Sequence, residues 1–317
     1  KNAVATLRAQ GHEVVEQFYE PAELAEQVKN FDVLVVRSAT KVRVPIIDAA
    51  CETGRLKLII RGGVGIDNID HEYAESKGIK VMNTPRASSQ SVAELALGHM
   101  LSCARFISIA GHTMREDKWE KKAYGKGIEL GGRTLGIVGY GRIGQALGKL
   151  AKAIGMNVIA FDIYHVPGIE EQLGIPYVEM DELLAKSDFI SVHAPAVDGG
   201  KLINAENIAK MKDGVILVNT SRGALVKTND LVEGIRMHKF AGVGLDVYEE
   251  ETKNVFEDRS DEILEHSTTA RLLSFPNVMI TSHQGFFTKE ALSAIAETTL
   301  QNAEVYLSGK ESPNDVK

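Results

Sequence analysis

The chain has 317 residues, more than one typical hydrophobic core holds, so two domains are expected. Its formal net charge of -7 argues against an electrostatic surface for nucleic acid or for an anionic membrane. Two cysteines are too few for a disulfide framework, and no apolar run approaches the roughly 18 residues of a membrane helix. These features favour a soluble protein of the reducing cytoplasm.

The first residues predict a helix that stops at Gly11, followed by a short strand at Val14 and Val15. Neither an opening strand nor an initiator Met precedes that helix. We therefore expect further residues upstream of Lys1.

Further along the chain, apolar runs rich in Val and Ile alternate with helical patterns. Strands are predicted at 33–37, 56–61, 80–82, 135–139, 158–161, 189–193, 215–219, 242–246 and 278–281. Long helices are predicted over about 89–115 and 289–307. Continuous apolar strands separated by helices require a parallel sheet that is covered on both faces. The sequence thus predicts an α/β fold with two doubly wound parallel sheets.

A glycine-rich turn follows the strand predicted at 134–139 and precedes a helix predicted at 145–154. Gly139 permits the tight turn, Gly141 lets the backbone approach a pyrophosphate, and Gly144 lets the helix pack on the strand. The helix N-terminus then supplies N–H groups to the phosphates. A glycine turn alone is a weak signal, but the strand and helix around it predict a dinucleotide site.

An acidic residue, Asp162, follows the next predicted strand, 18 residues beyond Gly144. Its carboxylate could accept hydrogen bonds from the ribose hydroxyls of adenosine. It would also repel a 2′-phosphate, and neither Ile163 nor Tyr164 offers a cation to bind one. NAD is therefore favoured over NADP, and the alternative for Asp162 is a solvated residue at a strand end.

Three chemically suited residues, Arg222, Glu251 and His283, each follow a different strand of the second series. Hydride transfer at a 2-hydroxy acid needs a proton donor or acceptor, a cation for the carboxylate and a group that orients the base. Each residue has an ordinary alternative: a loop histidine, a surface ion pair, or one member of an acidic run that includes Glu249 and Glu250. Their shared position after parallel strands, where ligands bind in α/β folds, favours a catalytic group.

Four motifs, in order along the chain, resemble the D-2-hydroxyacid dehydrogenase family. They are GIVGYGRIG at 136–144, NTSRG at 219–223, GLDV at 244–247 and SHQ at 282–284. By this resemblance Arg222 would bind the substrate carboxylate and polarise the carbonyl, and His283 would donate or accept the proton. Glu251 would pair with His283, and Asp246 would hold the nicotinamide carboxamide.

The same resemblance adds residues on the cofactor side of the site. It places Arg142 and Ile143 of the glycine turn, His193 and Pro195, and Thr220 against NAD. His193 is expected to be structural rather than catalytic. No metal site is predicted.

The segment 61–70 (RGGVGIDNID) resembles the substrate loop of the family, in which N–H groups at Val64 and Gly65 meet the carboxylate. Gly63 would allow that approach physically, although a tight turn between strand and helix is the ordinary alternative. Arg61 and Arg86, together with Lys41, are candidate cations for a phosphorylated substrate.

The motifs point to two substrates. Segments similar to 3-phosphoglycerate dehydrogenases lie at 37–41, 83–85 and 117–120, and segments similar to D-lactate dehydrogenases lie at 256–258 and 284–288. Two phenylalanines after His283 would suit a small or aliphatic side chain, yet Ala87 stands where D-lactate dehydrogenases usually carry a Tyr. We slightly favour 3-phosphoglycerate, with D-lactate or another small D-2-hydroxy acid as the alternative.

The resemblance implies a flavodoxin-like substrate domain at 1–88 and 288–317 and a Rossmann NAD-binding domain at 89–287. It also implies a homodimer formed through about 89–132. Two other hypotheses stay open. The protein could be an NAD-binding interaction protein like the family's corepressor relatives, or a Rossmann enzyme that uses S-adenosylmethionine. Nucleic-acid and membrane partners are not expected.

Overall fold

The computed structural model describes residues 2–122, 124–196, 200–249, 251 and 268–316. The chain divides into two compact units. The terminal unit comprises Lys1–Ser88 and Phe287–Lys317, and the central unit comprises Ser89–Phe286. Each unit contains a parallel sheet, so the predicted α/β class is confirmed.

The described residues of the terminal unit form a three-stranded parallel sheet in the order β1-β2-β3. Its strands are β1 (Val33–Val36), β2 (Leu58–Arg61) and β3 (Lys80–Met82). Its helices are α1 (Asn2–Ala9), α2 (Pro21–Gln27), α3 (Val44–Thr53), α4 (His71–Ser76) and α13 (Lys289–Leu307). A proline stands in the first turn of both α2 and α3, where its fixed φ and missing N–H favour a helix start.

Side chains that alternate along β2 bury both faces of this sheet. Ile59 packs in a cluster with Ile47 of α3, whereas Leu58 and Ile60 pack with Ala303 of α13. Helices therefore cover both faces, as a fully apolar parallel strand requires.

The strand predicted at Val14 and Val15 is wrong, because residues 12–20 have no regular structure. Val15 is 43% exposed, and glutamates flank the pair on both sides. Two β-branched residues without a neighbouring strand to pair with do not form a strand.

The described residues of the central unit form a six-stranded parallel sheet in the order β5-β4-β6-β7-β8-β9. Its strands are β4 (Thr134–Val138), β5 (Asn157–Phe161), β6 (Phe189–Val192), β7 (Val215–Asn219), β8 (Phe240–Leu245) and β9 (Val278–Ile280). Its helices are α5 (Ser89–Arg105), α6 (Ile107–Arg115), α7 (Arg142–Ala153), α8 (Ile169–Leu173), α9 (Met180–Lys186), α10 (Ala205–Lys210), α11 (Thr228–Arg236) and α12 (Thr268–Leu273).

The strand order of the central sheet reverses between β4 and β6, because β5 lies on the far side of β4. In open α/β sheets a crevice forms at such a switch point, outside the carboxyl ends of the strands. Val138 pairs with Val192 at the ends of β4 and β6, so the residues that follow them, Gly139 and His193, stand at this crevice. The fold thus positions the predicted dinucleotide site.

The single helix predicted over 89–115 is two helices. Phe106 between α5 and α6 adopts the left-handed conformation with φ 55°, and the two axes are bent by 68°. In the described part of the chain, no single helix is long and apolar enough to cross a membrane. The pair α5 and α6 reaches the required length and hydropathy only when its two bent parts are counted together.

Candidate active site

Packing explains two of the three glycines in the turn after β4. Gly139 has φ 92°, and a Cβ there would lie 2.4 Å from the backbone nitrogen of Ala194. A Cβ at Gly144 would lie 2.4 Å from the Gly139 oxygen. At Gly141, in contrast, no atom of the described residues other than the glycine and its two chain neighbours lies within 4 Å of a Cβ position. Backbone at Gly141 is consequently open to a ligand, as a pyrophosphate requires.

Helix α7 begins directly after this open position, with Gly141 as its N-cap. Among the described residues, no side chain caps the helix. Arg142 is exposed and Ile143 partly exposed, and the N–H groups of the first turn, which have no acceptor within the helix, lie at the positive end of the helix dipole. An uncapped, glycine-lined helix start fits the phosphates of a dinucleotide.

Asp162 holds the glycine turn in place. Its Oδ2 accepts a hydrogen bond from the Tyr140 N–H at 2.6 Å, and its Oδ1 accepts one from the Tyr164 N–H at 3.0 Å. A carboxylate has about four lone-pair sites, so acceptor capacity is left for ribose hydroxyls. This structural contact of Asp162 with the turn was not predicted from the sequence.

Replacing Asp162 with Asn is expected to weaken NADH binding about tenfold, the effect of losing a charged hydrogen-bond acceptor. The amide oxygen of Asn can still accept from Tyr140, so the turn is retained. Removal of the negative charge should also reduce the preference for NADH over NADPH. Fluorescence titration with both nucleotides measures this ratio, and an Asp213→Asn variant, changed at an exposed carboxylate, is the control. An unchanged ratio would contradict the role of Asp162.

Polar atoms of His193 and Thr220 are buried at the ends of β6 and β7. The Nε2 of His193 lies 2.8 Å from the Ser191 hydroxyl, and burial lowers the pKa of His193 to about 4, so its ring is neutral. Within the described residues, His193 Nδ1 and Thr220 Oγ1 have no hydrogen-bond partner. Buried polar atoms rarely stay unpaired, so both fit a polar ligand at this crevice. Pro195 follows in the same segment and is exposed.

His283 and Glu251 come together although 32 positions separate them. The Nδ1 of His283 lies 3.4 Å from Glu251 Oε2, and the two side chains are 36% and 13% exposed. His283 has φ 53°, a left-handed conformation that non-glycine residues seldom adopt. A half-exposed imidazole with a shielded carboxylate beside it is suited to carry a proton.

Glu249, the other described glutamate of the acidic run, has different partners and does not contact His283. Glu249 Oε2 accepts hydrogen bonds from the Thr228 N–H at 3.1 Å and the Thr228 hydroxyl at 2.9 Å, and Oε1 pairs with Lys201. Glu249 thus anchors the start of α11. Glu250 lies outside the described residues, as does the segment 256–258 that resembles D-lactate dehydrogenases.

Arg222 stands in a turn that follows β7 and is held by Asn219. The buried Asn219 side chain donates to the Arg222 oxygen at 2.9 Å and accepts from the Ser221 N–H at 3.0 Å. A Cβ at Gly223 would lie 2.1 Å from the Tyr248 oxygen, so only glycine allows this turn to reach the segment before Glu251. The NTSRG motif therefore contains two positioning residues, Asn219 and Gly223, that sequence reasoning did not single out.

Asp246 is 1% exposed and binds the backbone around His283. Its Oδ1 accepts from the Gln284 N–H at 3.0 Å, and its Oδ2 accepts from the Gly285 N–H at 2.8 Å. The role expected from resemblance, a contact with the nicotinamide carboxamide, stays a prediction.

The predicted substrate loop follows β2 in the terminal unit. Gly63 has φ 153°, and a Cβ there would overlap the guanidinium of Arg61, with Nη1 only 1.1 Å from its position. Arg61 Nη1 donates to the Gly62 oxygen at 3.1 Å. Arg61 thus packs over its own turn, whereas Arg86 and Lys41, the other two predicted cations, are exposed.

A chain of asparagines fixes the peptide between Val64 and Gly65. Asn83 Nδ2 donates to the Val64 oxygen at 2.7 Å, and the buried Asn302 in turn donates to the Asn83 oxygen at 2.8 Å. In a trans peptide the C=O and N–H bonds point in opposite directions. Holding the Val64 oxygen therefore aims the Gly65 N–H away from Asn83, where it is available to an anion.

The predicted site residues divide between the two units. The catalytic and cofactor candidates in the central unit are Gly139, Gly141, Arg142, Ile143, Gly144, Asp162, His193, Pro195, Thr220, Arg222, Asp246, Glu251 and His283, and the substrate candidates in the terminal unit are Arg61, Gly63, Val64, Gly65 and Arg86. Among the described residues, no group of three His, Cys, Asp or Glu side chains is placed to hold a metal ion.

Known proteins resemble this chain over most of its length. The family described as D-isomer specific 2-hydroxyacid dehydrogenase, NAD binding domain, matches residues 97–285. Hydroxypyruvate reductase of Thermotoga maritima is 48% identical over 280 residues, 88% of this chain and 86% of that protein. D-3-phosphoglycerate dehydrogenase of Methanocaldococcus jannaschii is 41% identical over 318 residues, all of this chain but only 57% of that protein.

Solved structures agree with these relatives. The structure of D-lactate dehydrogenase from Aquifex aeolicus, complexed with NAD and lactic acid, matches with a TM-score of 0.87 and 29% identity, over 100% of this chain and 96% of that one. The chain therefore belongs to the D-isomer-specific 2-hydroxyacid dehydrogenase family and is an NAD-dependent oxidoreductase that acts on 2-hydroxy acids.

Proposed function

We propose that the chain reduces hydroxypyruvate to D-glycerate with NADH. The contact of His283 with Glu251 at 3.4 Å, after β9 and β8 of the central sheet, carries this proposal, because it supplies a proton carrier where α/β folds bind ligands. NADH, when bound, supplies the hydride for C2 of the ketoacid. His283 donates the proton to the ketone oxygen, and Glu251 orients its imidazole ring.

Binding of the substrate carboxylate falls to Arg222 in this proposal. Its planar guanidinium can form two parallel hydrogen bonds to a carboxylate and polarise the adjacent carbonyl. The N–H groups of Val64 and Gly65 are proposed as further donors, supported by the grip of Asn83 on the Val64 oxygen.

The two units are proposed to bind different ligands, NAD in the central unit and the substrate in the terminal unit. The match of the NAD-binding family to 97–285 supports 89–287 as the NAD-binding domain, which leaves 1–88 and 288–317 as the substrate domain. A homodimer through 89–132 is part of the same proposal. Its support is that Ile107, Met114 and Trp119 are 57%, 49% and 82% exposed, an apolar surface suited to a second copy.

We propose hydroxypyruvate as the substrate, and not the 3-phosphoglycerate that the sequence slightly favoured, for two reasons. Arg61, one of the three cations expected to bind a phosphate, packs over Gly63 and donates to Gly62 instead. The hydroxypyruvate reductase of T. maritima is also more similar to this chain than the D-3-phosphoglycerate dehydrogenase of M. jannaschii, and it aligns over 86% of its own length. 3-Phosphohydroxypyruvate stays the second candidate, because Arg86 and Lys41 are both exposed.

Steady-state NADH oxidation with hydroxypyruvate, 3-phosphohydroxypyruvate, glyoxylate and pyruvate tests the substrate. We expect kcat/KM for hydroxypyruvate to exceed that for each of the others by about tenfold, the effect of a modest difference in transition-state contacts. Arg86→Ala should change that value less than twofold, as should the control Lys57→Ala. A preference for the phosphorylated acid that Arg86→Ala removes would instead establish the second candidate, and no turnover with any ketoacid would favour a non-enzymatic binding protein.

A further inference from the structure

A chain of three polar side chains runs through the interior of the central unit toward the loop of His283. His99 of α5 is fully buried, and its Nε2 lies 3.0 Å from the Thr281 hydroxyl. Thr281 Oγ1 lies 2.5 Å from Asp246 Oδ1. The proposed reaction uses neither His99 nor Thr281.

The direction of these hydrogen bonds follows from their acceptors. An ionised carboxylate can only accept, so the Thr281 hydroxyl donates to Asp246. The lone pairs of that hydroxyl are then left to accept a proton from His99 Nε2–H. Burial lowers the pKa of His99, so near neutral pH its ring is uncharged and its single N–H points at Thr281.

Asp246, at the far end of this hydrogen-bonded series, binds the backbone that follows His283. Asp246 accepts from the N–H groups of Gln284 and Gly285, at 3.0 and 2.8 Å. From the other side, the Ser91 hydroxyl of α5 donates to the Gly285 oxygen at 2.5 Å. The loop is therefore fixed at the two residues that follow His283, whose own φ of 53° is unfavourable for a residue that carries a Cβ.

Two glycines make room for these contacts. A Cβ at Gly244 would lie 2.7 Å from His99 Nδ1, and a Cβ at Gly285 would lie 3.1 Å from Asp246 Oδ2. Gly244 belongs to the GLDV motif, and neither hydride transfer nor proton transfer explains a glycine there. Its space is occupied by the His99 ring.

We propose that His99 and Thr281 are positioning residues, which act through Asp246 to hold the His283 loop in its left-handed conformation. Release of that loop would move the imidazole away from Glu251, and a displacement of about 1 Å at a reacting group lowers rates by up to about a hundredfold. The inference rests on the proposed role of His283 as the proton carrier.

Four variants test it: Thr281→Val removes the hydroxyl and keeps the shape, Thr281→Ser keeps the hydroxyl, His99→Leu removes the ring donor, and a double variant combines Thr281→Val with His99→Leu. For Thr281→Val we expect kcat with hydroxypyruvate to fall about tenfold, with KM for NADH within twofold of wild type. Thr281→Ser should retain kcat within threefold. The kcat of the double variant should be no lower than that of Thr281→Val, because both substitutions interrupt the same series of hydrogen bonds.

The solvent isotope effect on kcat separates positioning from general damage. Proton transfer should become rate-limiting in Thr281→Val, so the ratio of kcat in H₂O to that in D₂O should rise above the wild-type value. If Thr281→Val does not fold, Ser91→Ala, which removes only the contact to Gly285, should show the same rise with a smaller loss of kcat.

If the wild type is active, any one of three results would overturn the inference alone. They are an unchanged kcat in Thr281→Val, a Thr281→Ser variant as impaired as Thr281→Val, and additive losses of kcat in the double variant. A wild type that reduces no ketoacid would contradict the proposed function and remove the inference with it.

Discussion

Replacing His283 with Asn is expected to lower kcat for hydroxypyruvate reduction by about three orders of magnitude, because a positioned general acid contributes roughly 10² to 10⁴. Asn is the informative substitution, since it tolerates the left-handed conformation that His283 adopts at φ 53°. The loop backbone and its hydrogen bonds to Asp246 are then retained, and only the proton carrier is lost. Stopped-flow measurement of a single turnover isolates the chemical step.

A second left-handed histidine of the central unit supplies the matched control. His238 has φ 58° and is exposed, so His238→Asn makes the same chemical change at the same backbone conformation without a contact to Glu251. We expect His238→Asn to keep wild-type kcat, and both variants to bind NADH within threefold of wild type. A His283→Asn variant that retains a tenth of wild-type kcat would show that another group carries the proton.

Arg222→Gln is expected to lower kcat/KM for the ketoacid by about two to three orders of magnitude, the effect of removing a preorganised donor from a developing oxyanion. Both kcat and KM should change, because a carboxylate-binding guanidinium contributes in the ground state and in the transition state. Arg222→Lys keeps the charge but lacks the planar pair of donors, so it should recover only part of the loss.

The control for Arg222 is Arg236→Gln on α11, which removes an exposed arginine that pairs with Glu233. Its kinetic constants should equal those of the wild type. If Arg222→Gln raised KM for NADH and left KM for the ketoacid unchanged, Arg222 would belong to the cofactor and not to the substrate.

The parts of the fold that the sequence predicted correctly depend on local patterns. The final helix was predicted at the residues where α13 lies, and the glycine turn lies between a strand and a helix as expected. The break of the long helix at Phe106 was missed, because neither Gly nor Pro marks it and a phenylalanine with φ 55° is unusual.

Tertiary contacts explain what the sequence could not show at the site. His99 lies on an apolar helix face, where a histidine resembles any core residue, and its partner Thr281 is 182 positions away. The guanidinium of Arg61 packs beside Gly63, a contact that was not predicted, and its binding of a substrate phosphate stays a prediction. Both outcomes are set by packing distances between side chains, which residue type and spacing do not specify.

The most direct test of the proposed reaction is the product that the wild-type enzyme makes from hydroxypyruvate and NADH, resolved by chiral chromatography. Membership of the D-isomer-specific family together with the proposed roles of His283, Glu251 and Arg222 predicts one D-glycerate for each NADH consumed. Formation of L-glycerate, or NADH consumption without glycerate, would contradict it.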